Sequence, residues 1–520
     1  MHWSKRIALA TLIAALPHQA PAQTLRAAMS SDIKILDPIW VSAAITRVHA
    51  YMIYDTLFAL DAKGEVKPQM VDRYDVSSDN LTYTFTLREG LLWHDGKPVT
   101  AEDCIASIKR WSARDALGQK LTSFIESMTA SSERVFEIKL KTPTGLLLFG
   151  LAKPAGIVPY MMPKRVAETD ALTQITDYTG SGPFVFKKDE WKPGNKVVYV
   201  KFDKYKPRPE PISYFAGGKV AKVSRVEWVV IADTQQAVNS LLQGEVDLME
   251  VVPHDLQVLL KDNSDTRIVP RAAAAIQYVF RPNHLTKPFD NAKIRLAAAY
   301  ALNQKDFLDA AVGEPEFYKQ CKSIYPCDTA LATQKGMTDL LESNFEKSRA
   351  LLKEANYNGA PVVLLHSTDL SSLTNLAPVA KALLEKGGFK VDMQSMDWQT
   401  LLSRTTKKDP ADAGGWSAYM TSFPIADVIN PATLLPLAAN CEKAFAGWPC
   451  DEGIEALRDG YIRETDPAKQ RAIAEALQVR ERDVVTHLPI GQYYNVSGFS
   501  KKITGFSDAA SFAFWGLEKR

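Results

Sequence analysis

Five cysteines, eight histidines and a set of tryptophans and tyrosines are the residues of this 520-residue chain whose chemistry could go beyond packing. Cys321 and Cys327 stand six apart in CKSIYPC, and Cys441 and Cys450 nine apart in CEKAFAGWPC. Neither pair has C-x-x-C spacing or a close histidine, so nothing here points to a zinc site. Among turn residues and in an oxidising space, the pairs Cys321–Cys327 and Cys441–Cys450 read as short-loop disulfides. Cys104 is left over in AEDCIASIKRW and reads as a small buried residue rather than a reactive thiol.

Catalytic signatures are missing. There is no G-x-S-x-G elbow, no phosphate-binding G-x-x-x-x-G-K-[ST] loop and no G-x-G-x-x-G. The histidines are scattered and the carboxylates unpatterned, so no metal and no cofactor is expected. An enzyme would need a triad assembled from distant positions; a secreted hydrolase is the remote alternative. Trp40, Trp398, Trp416, Tyr419, Trp448, Tyr493 and Tyr494 fall in or beside loops and strand ends. Such residues serve as core or line an aromatic cleft that takes a small organic ligand.

The elements that must position these residues alternate between helix and strand. Hydrophobic residues make up 46% and charged residues 23%, which excludes a disordered, collagenous or polytopic membrane chain. Lys plus Arg is 62 against 60 Asp plus Glu, so no general field favours nucleic acid. Residues 1–22 read as a signal peptide: Lys5 and Arg6, the uncharged run Ile7–Leu16, then Pro17 and the small-x-small site Ala20-Pro21-Ala22. No cysteine lies near that site, so a free periplasmic protein without a lipid anchor is expected. Thr82–Leu87 and Val135–Leu140 alternate as half-buried strands. Between them Thr100 and Asp103 form a capping-box pattern before a helix with Ile105, Ile108 and Trp111 on one face. Tyr51–Leu60 reads as helix into strand, and Gly180-Ser181-Gly182-Pro183 as a turn where the chain crosses between lobes. Lys196–Lys201, Val223–Ile231, Val246–Met249, 361–366 and 389–396 read as strands. Gln235–Gln243, 290–312, 344–355, 371–386 and 466–485 read as helices, the last with Asp466 as N-cap. From Leu488 onward short strands are expected.

Asn80–Asp103, NLTYTFTLREGLLWHDGKPVTAED, resembles the signature of the bacterial extracellular solute-binding proteins of family 5, the dipeptide- and oligopeptide-binding components of ABC importers. Leu36-Asp37-Pro38 with Tyr54-Asp55-Thr56-Leu57, Gly180–Phe184, Leu241–Asp247, Phe289–Asp306 and Phe345–Tyr357 resemble further segments of that family, in order. The resemblance implies an α/β, two-lobed periplasmic-binding-protein fold (type II or cluster C-like) with an extra inserted domain in the first lobe and a hinge crossed twice. Lobe 1 would be 23–56, 179–270 and 485–520, the inserted domain 57–178, and lobe 2 271–484. A ligand would sit between lobes that close on it, and a monomer would hand it to a membrane permease.

The family's peptide binders place a carboxylate after a G-W motif to meet the ligand's ammonium, which could not be buried alone. Here the motif is Gly415-Trp416-Ser417-Ala418-Tyr419, with Tyr419 at the acidic position. Asp427 is the next carboxylate along the chain and is either the replacement or a turn residue before Asn430-Pro431. Met396-Asp397-Trp398 resembles the segment whose Trp lines side-chain pockets, and Arg404 could meet a ligand carboxylate. The candidate ligand-binding set is therefore Trp40, Trp398, Arg404, Trp416, Ser417, Tyr419 and Asp427. A peptide or peptide-like solute is the leading cargo; an opine, an oligosaccharide or a metal chelate would suit the same receptor.

Overall fold

The computed structural model describes residues 23–520; the signal-peptide segment lies outside them. Its centre is one 11-stranded mixed sheet. On one side lie Val391–Met396, Val362–Ser367 and Ala418–Pro424; on the other lie Leu248–Met249, Thr24–Ala28, Arg225–Val229, Lys196–Lys201 and Phe184–Phe186. Two long antiparallel strands, Thr266–Pro282 and Leu488–Ser500, join the halves. Their register breaks between Arg271 and Ile276, where Ala272–Ala275 bulge out of the ladder. These two strands are where the chain passes between the lobes.

A separate antiparallel sheet, Val71–Val76, Thr82–Leu87, Val135–Leu140 and Ile125–Ala130, forms the inserted domain with helix Ala101–Arg114. Alternation places Tyr83, Phe85 and Leu87 in the core. The capping box forms as expected: Thr100 Oγ1 accepts from the Asp103 amide, and Asp103 Oδ2 accepts from the Thr100 amide at 2.8 Å. Asp103 also accepts from Trp93 Nε1 at 3.2 Å.

The other motif segments are fasteners too. Asp37 accepts from Arg110 at 2.8 Å, from the Ile39 amide at 2.9 Å and from the Ile175 amide at 3.0 Å. Asp55 accepts from Lys219 at 2.8 Å and from the Tyr205 hydroxyl at 2.9 Å. A Cβ on Gly180 would stand 1.7 Å from the Ile53 carbonyl oxygen, so only glycine fits there. His94 reads the same turn: Nδ1 accepts from the Gly180 amide at 3.3 Å and Nε2 donates to the Gly182 carbonyl at 3.1 Å. The Gly180–Pro183 turn therefore docks against the end of helix Ala44–Ile53.

Other expectations shift in detail. The first helix is Ala44–Ile53 rather than one starting at Tyr51, and its N-cap Ala43 makes no side-chain bond that would have marked the start. The 290–312 segment is two helices, Ala292–Ala301 and Gln304–Ala311, because Asn303 caps the second through the Lys305 and Asp306 amides. The tail opens with a 13-residue strand, and the expected short strands follow it at Ile503–Thr504 and Glu518–Lys519.

Both cysteine pairs are joined, and Cys104 is buried and free; burial pushes its thiol well up. Replacing Cys321 and Cys327 together by serine is expected to lower the free energy of urea unfolding by about 2 kcal/mol, from the restored freedom of a short loop. An unchanged unfolding midpoint would contradict that.

Candidate ligand-binding cleft

Four of the sequence-selected aromatics, Trp398, Trp416, Tyr419 and Trp448, come together, but in a core. Trp416 is fully buried with Val363, Leu365, Leu401, Tyr419 and Trp448, and Trp398 packs against the edge of this cluster. Trp416 meets Tyr419 edge-on at 5.1 Å and Trp448 at 6.0 Å. Ser417 is also buried, its Oγ accepting from the Val363 amide at 3.1 Å and donating to the Lys287 carbonyl at 3.2 Å. Burial raises the Tyr419 phenol to about 12. Arg404 spends its guanidinium on the Gly415 carbonyl, at 3.1 and 2.7 Å, and so ties helix Trp398–Thr405 to the G-W turn. Trp40 lies under the Arg114 guanidinium, 5.0 Å from the ring centre. None of these six residues lines the cleft described next.

That cleft is a cavity of about 970 Å³. Its floor is the bulge of the crossing strand, at Ala272, Ala273 and Ala275, with Gln492 and Tyr494 from the other crossing strand. Period two explains why Tyr494 lines it while Tyr493 turns inward to stack on Tyr278 at 4.6 Å. Leu60, Val66, Leu148 and Phe149 also line it, as do Leu331, Ile425, Ile429 and Asn430. The Cys321–Cys327 loop joins the lining through Cys327, whose amide donates to Gln492 Oε1 at 3.1 Å.

Two carboxylates stand at the cavity or beside it. Asp508 lines the cavity, and its Oδ2 accepts from the Ala273 amide at 2.7 Å while Oδ1 lies 3.3 Å from Arg271 Nε. Burial holds its acid above the ordinary range. Asp427 sits on the turn after strand Ala418–Pro424, beside cavity-lining Ala426. It faces Gly156, Arg47 and Lys153; burial raises its acid, and the two cations and the Gly156 amide oppose that. Arg47 is itself buried, donating to Ser511 Oγ at 2.9 Å and to the Gly156 carbonyl at 3.4 Å. Asp427 therefore brings the turn after strand Ala418–Pro424 up to Arg47 of helix Ala44–Ile53 and to Lys153 and Gly156. Tyr214, with backbone φ of 57° in the left-handed region, lies within electrostatic reach of both carboxylates.

Among the described residues, no group of three His, Cys, Asp or Glu is arranged to hold a metal ion, and no helix is long and apolar enough to cross a membrane. Sequence reading missed Asp508 and Tyr214 because neither lies in a patterned segment. Cys327 was in view, but as a disulfide partner rather than a wall.

A two-lobed α/β body, with a roomy cleft at the strands that link its halves, defines the class of hinged periplasmic-type binding proteins. The match is specific: residues 65–445 fit the model of the bacterial extracellular solute-binding proteins, family 5 middle region, and the chain belongs to that family. It is 37% identical over 517 residues to a probable peptide ABC transporter periplasmic-binding protein, y4tO, of Sinorhizobium fredii, covering 99% of this chain and 96% of that one. It is 26% identical over 535 residues to the glutathione-binding protein GsiB of Escherichia coli K12, covering 97% and 96%. The fold is that of the solved Helicobacter pylori periplasmic binding protein DppA in complex with the peptide STSA, with a TM-score of 0.74 at 20% identity over 96% of this chain and 98% of that one.

Proposed function

We propose that this chain is the periplasmic receptor of an ABC importer. It captures a peptide or peptide-like solute between its lobes and hands it unaltered to the membrane permease. The cavity carries the reading: it is bounded by both lobes and floored by the strands that join them, so closing around a solute completes the walls. The near full-length likeness to a protein named as a peptide receptor supports the cargo class. In this reading the signal peptide is removed, the mature chain is a free monomer, and the lobes divide as 23–56, 179–270 and 485–520; 57–178; and 271–484.

Asp427 acts in this scheme as a closing contact between lobes rather than as a ligand group. Asp427→Asn removes the charge facing Arg47 and Lys153, and ligand affinity is expected to fall by about 2 kcal/mol, because the closed form loses a charged partner. Titration calorimetry of variant and parent measures it; equal affinities would reduce Asp427 to a local turn residue. The function itself is tested by purifying the protein gently from periplasm, denaturing it and identifying the released small molecule by mass spectrometry. A peptide is expected. A non-peptide solute would overturn the cargo, and a cut or modified product the receptor role.

A further inference from the structure

Residues 320–344, between strand Tyr318–Lys319 and helix Phe345–Glu354, form no helix or strand. A connection of that length is uncommon in a compact body, and its backbone groups must find partners elsewhere. At the Cys321–Cys327 end, buried Gln277, Gln304, Gln478 and Gln492 supply them. Gln304 Oε1 accepts from the Cys321 amide at 2.8 Å while its Nε2 donates to the Cys321 carbonyl at 2.6 Å. Gln478 Oε1 accepts from the Ile324 amide at 3.1 Å, and its Nε2 donates to the Thr333 carbonyl. Gln277 Nε2 donates to the Ser323 carbonyl at 3.4 Å, and Gln492 Oε1 accepts from the Cys327 amide. A primary amide donates and accepts without carrying charge, so it can pin both kinds of backbone group where a buried ion would be costly. Gln277 and Gln492 stand opposite each other on the two crossing strands; Gln304 and Gln478 come from helices Gln304–Ala311 and Pro467–Val484. Between these pins Ser323, Ile324 and Tyr325 are buried.

The chain beyond the disulfide is different. Cys327, Asp328, Thr329, Ala330 and Leu331 all line the cavity, and Asp328 and Ala330 are exposed. Asp328 has a left-handed φ of 67°, which costs a non-glycine residue energy and persists only where the surroundings enforce it. Its two carboxylate oxygens both lie 2.6 Å from Lys319 Nζ.

We infer that the Cys321–Cys327 disulfide and Gln492 are positioning groups for capture: they fix Cys327–Leu331 at the cavity before a solute arrives, and affinity depends on that prior order. This rests on the peptide reading above and deepens it by naming the part of the lining that has to be built in advance. The reason is entropic: each backbone residue that is ordered during binding, rather than before it, costs about tenfold in affinity. The disulfide anchors the segment to a buried base held by glutamines, and the Gln492 bond ties its first residue to a strand that shares the lining. The second disulfide is the control, because neither Cys441 nor Cys450 lines the cavity.

For the test, the immobilised mature chain is offered a random library of tri- to pentapeptides. The best-retained peptide, sequenced by mass spectrometry, is then titrated calorimetrically into each variant. Cys321→Ser with Cys327→Ser is expected to weaken it about tenfold or more, and Cys441→Ser with Cys450→Ser about twofold or less, although each loses a cross-link. Hydrogen exchange without peptide gives a second reading. The amides of residues 327–331 should exchange faster in the Cys321, Cys327 variant. The Cys327 amide should also exchange faster in Gln492→Met, but not in Gln492→Glu, which keeps an acceptor for it. Should the Cys321, Cys327 variant not fold, Gln492→Met decides: faster exchange with about fivefold weaker binding upholds the inference, and unchanged exchange overturns it. Equal affinity of the parent and the Cys321, Cys327 variant, or an equal loss in both disulfide variants, would overturn this inference and leave the peptide reading intact. Retention of no peptide by the parent chain would overturn that reading and this inference with it.

Discussion

Lowering the pH from 7 to 5 is expected to remove several kcal/mol of this protein's stability, and one buried and two half-buried imidazoles are the reason. His49 packs against Phe186 and Tyr199, its Nε2 has no hydrogen-bond partner, and burial lowers its proton affinity to about 3. His94 is held to about 4 by burial. Its Nδ1 already accepts the Gly180 amide, so a proton there would face another N–H. His284 lies beside Arg281 and Arg295 and is lowered by burial and by those charges. The unfolded chain protonates each near 6.5, and the folded chain does not. Between about pH 6.5 and 4 the unfolded state therefore binds more protons, and stability falls as pH falls.

Each such histidine costs about 1.4 kcal/mol per pH unit inside that window, so His49 and His94 together cost about 4 kcal/mol at pH 5. His284 adds in the same direction. Asp427 and Asp508, whose acids are raised, act oppositely, gaining stability as pH falls toward the ordinary carboxylate value of 3.8, and soften the loss only at its acid end. Urea unfolding at pH 7, 6 and 5 measures the slope, and His49→Phe should flatten it. A midpoint that does not move between pH 7 and 5 would sink the account.

Asp55→Ala is expected to cost about 3–5 kcal/mol, as much as a domain of ordinary stability can spare. Lys219 would remain with a 0% exposed side chain and no carboxylate 2.8 Å away. The nearest compensation is the ring faces of Trp515 at 5.3 Å and Tyr51 at 5.9 Å, which are weak substitutes for an ion pair. The Tyr205 hydroxyl and the Thr56 amide would lose their acceptor as well. Most of the cost belongs to the stranded ammonium, so the double variant Asp55→Ala, Lys219→Met should recover much of it. Chemical unfolding of both variants decides; a loss below 1 kcal/mol for Asp55→Ala alone would refute the assignment.

These two predictions mark what the sequence made legible. Asp37, Asp55, His94, Asp103 and Gly180 stood out as parts of motifs, and each proves to lock one segment onto another. Strong local patterns carried the inserted domain: TYTFTL alternates, and Thr100 and Asp103 cap each other. The strand Thr266–Pro282 was not legible, because Pro270 and the run Ala272–Ala275 break its alternation and its pairing is wholly long-range. The ligand cleft was harder still. Trp416 and Tyr419 carry the most chemical promise by type, yet alternation and volume draw them into a core. The cavity lining instead includes small alanines, a half-exposed Phe149 and Asp508. Residue type announces what a side chain is able to do, whereas the space beside a backbone bulge depends on chains meeting from hundreds of positions apart.

The pairing of the two crossing strands bears on how the molecule opens. Joined along their length, they make a ribbon rather than two separate tethers. A ribbon bends readily across its flat face and resists shear within its plane, since shear breaks its ladder of hydrogen bonds. Excursions of one half against the other should thereby be confined to a single soft direction, with flexure expected at the two places where that ladder is interrupted, Ala272–Ala275 and the Tyr278–Val279 step.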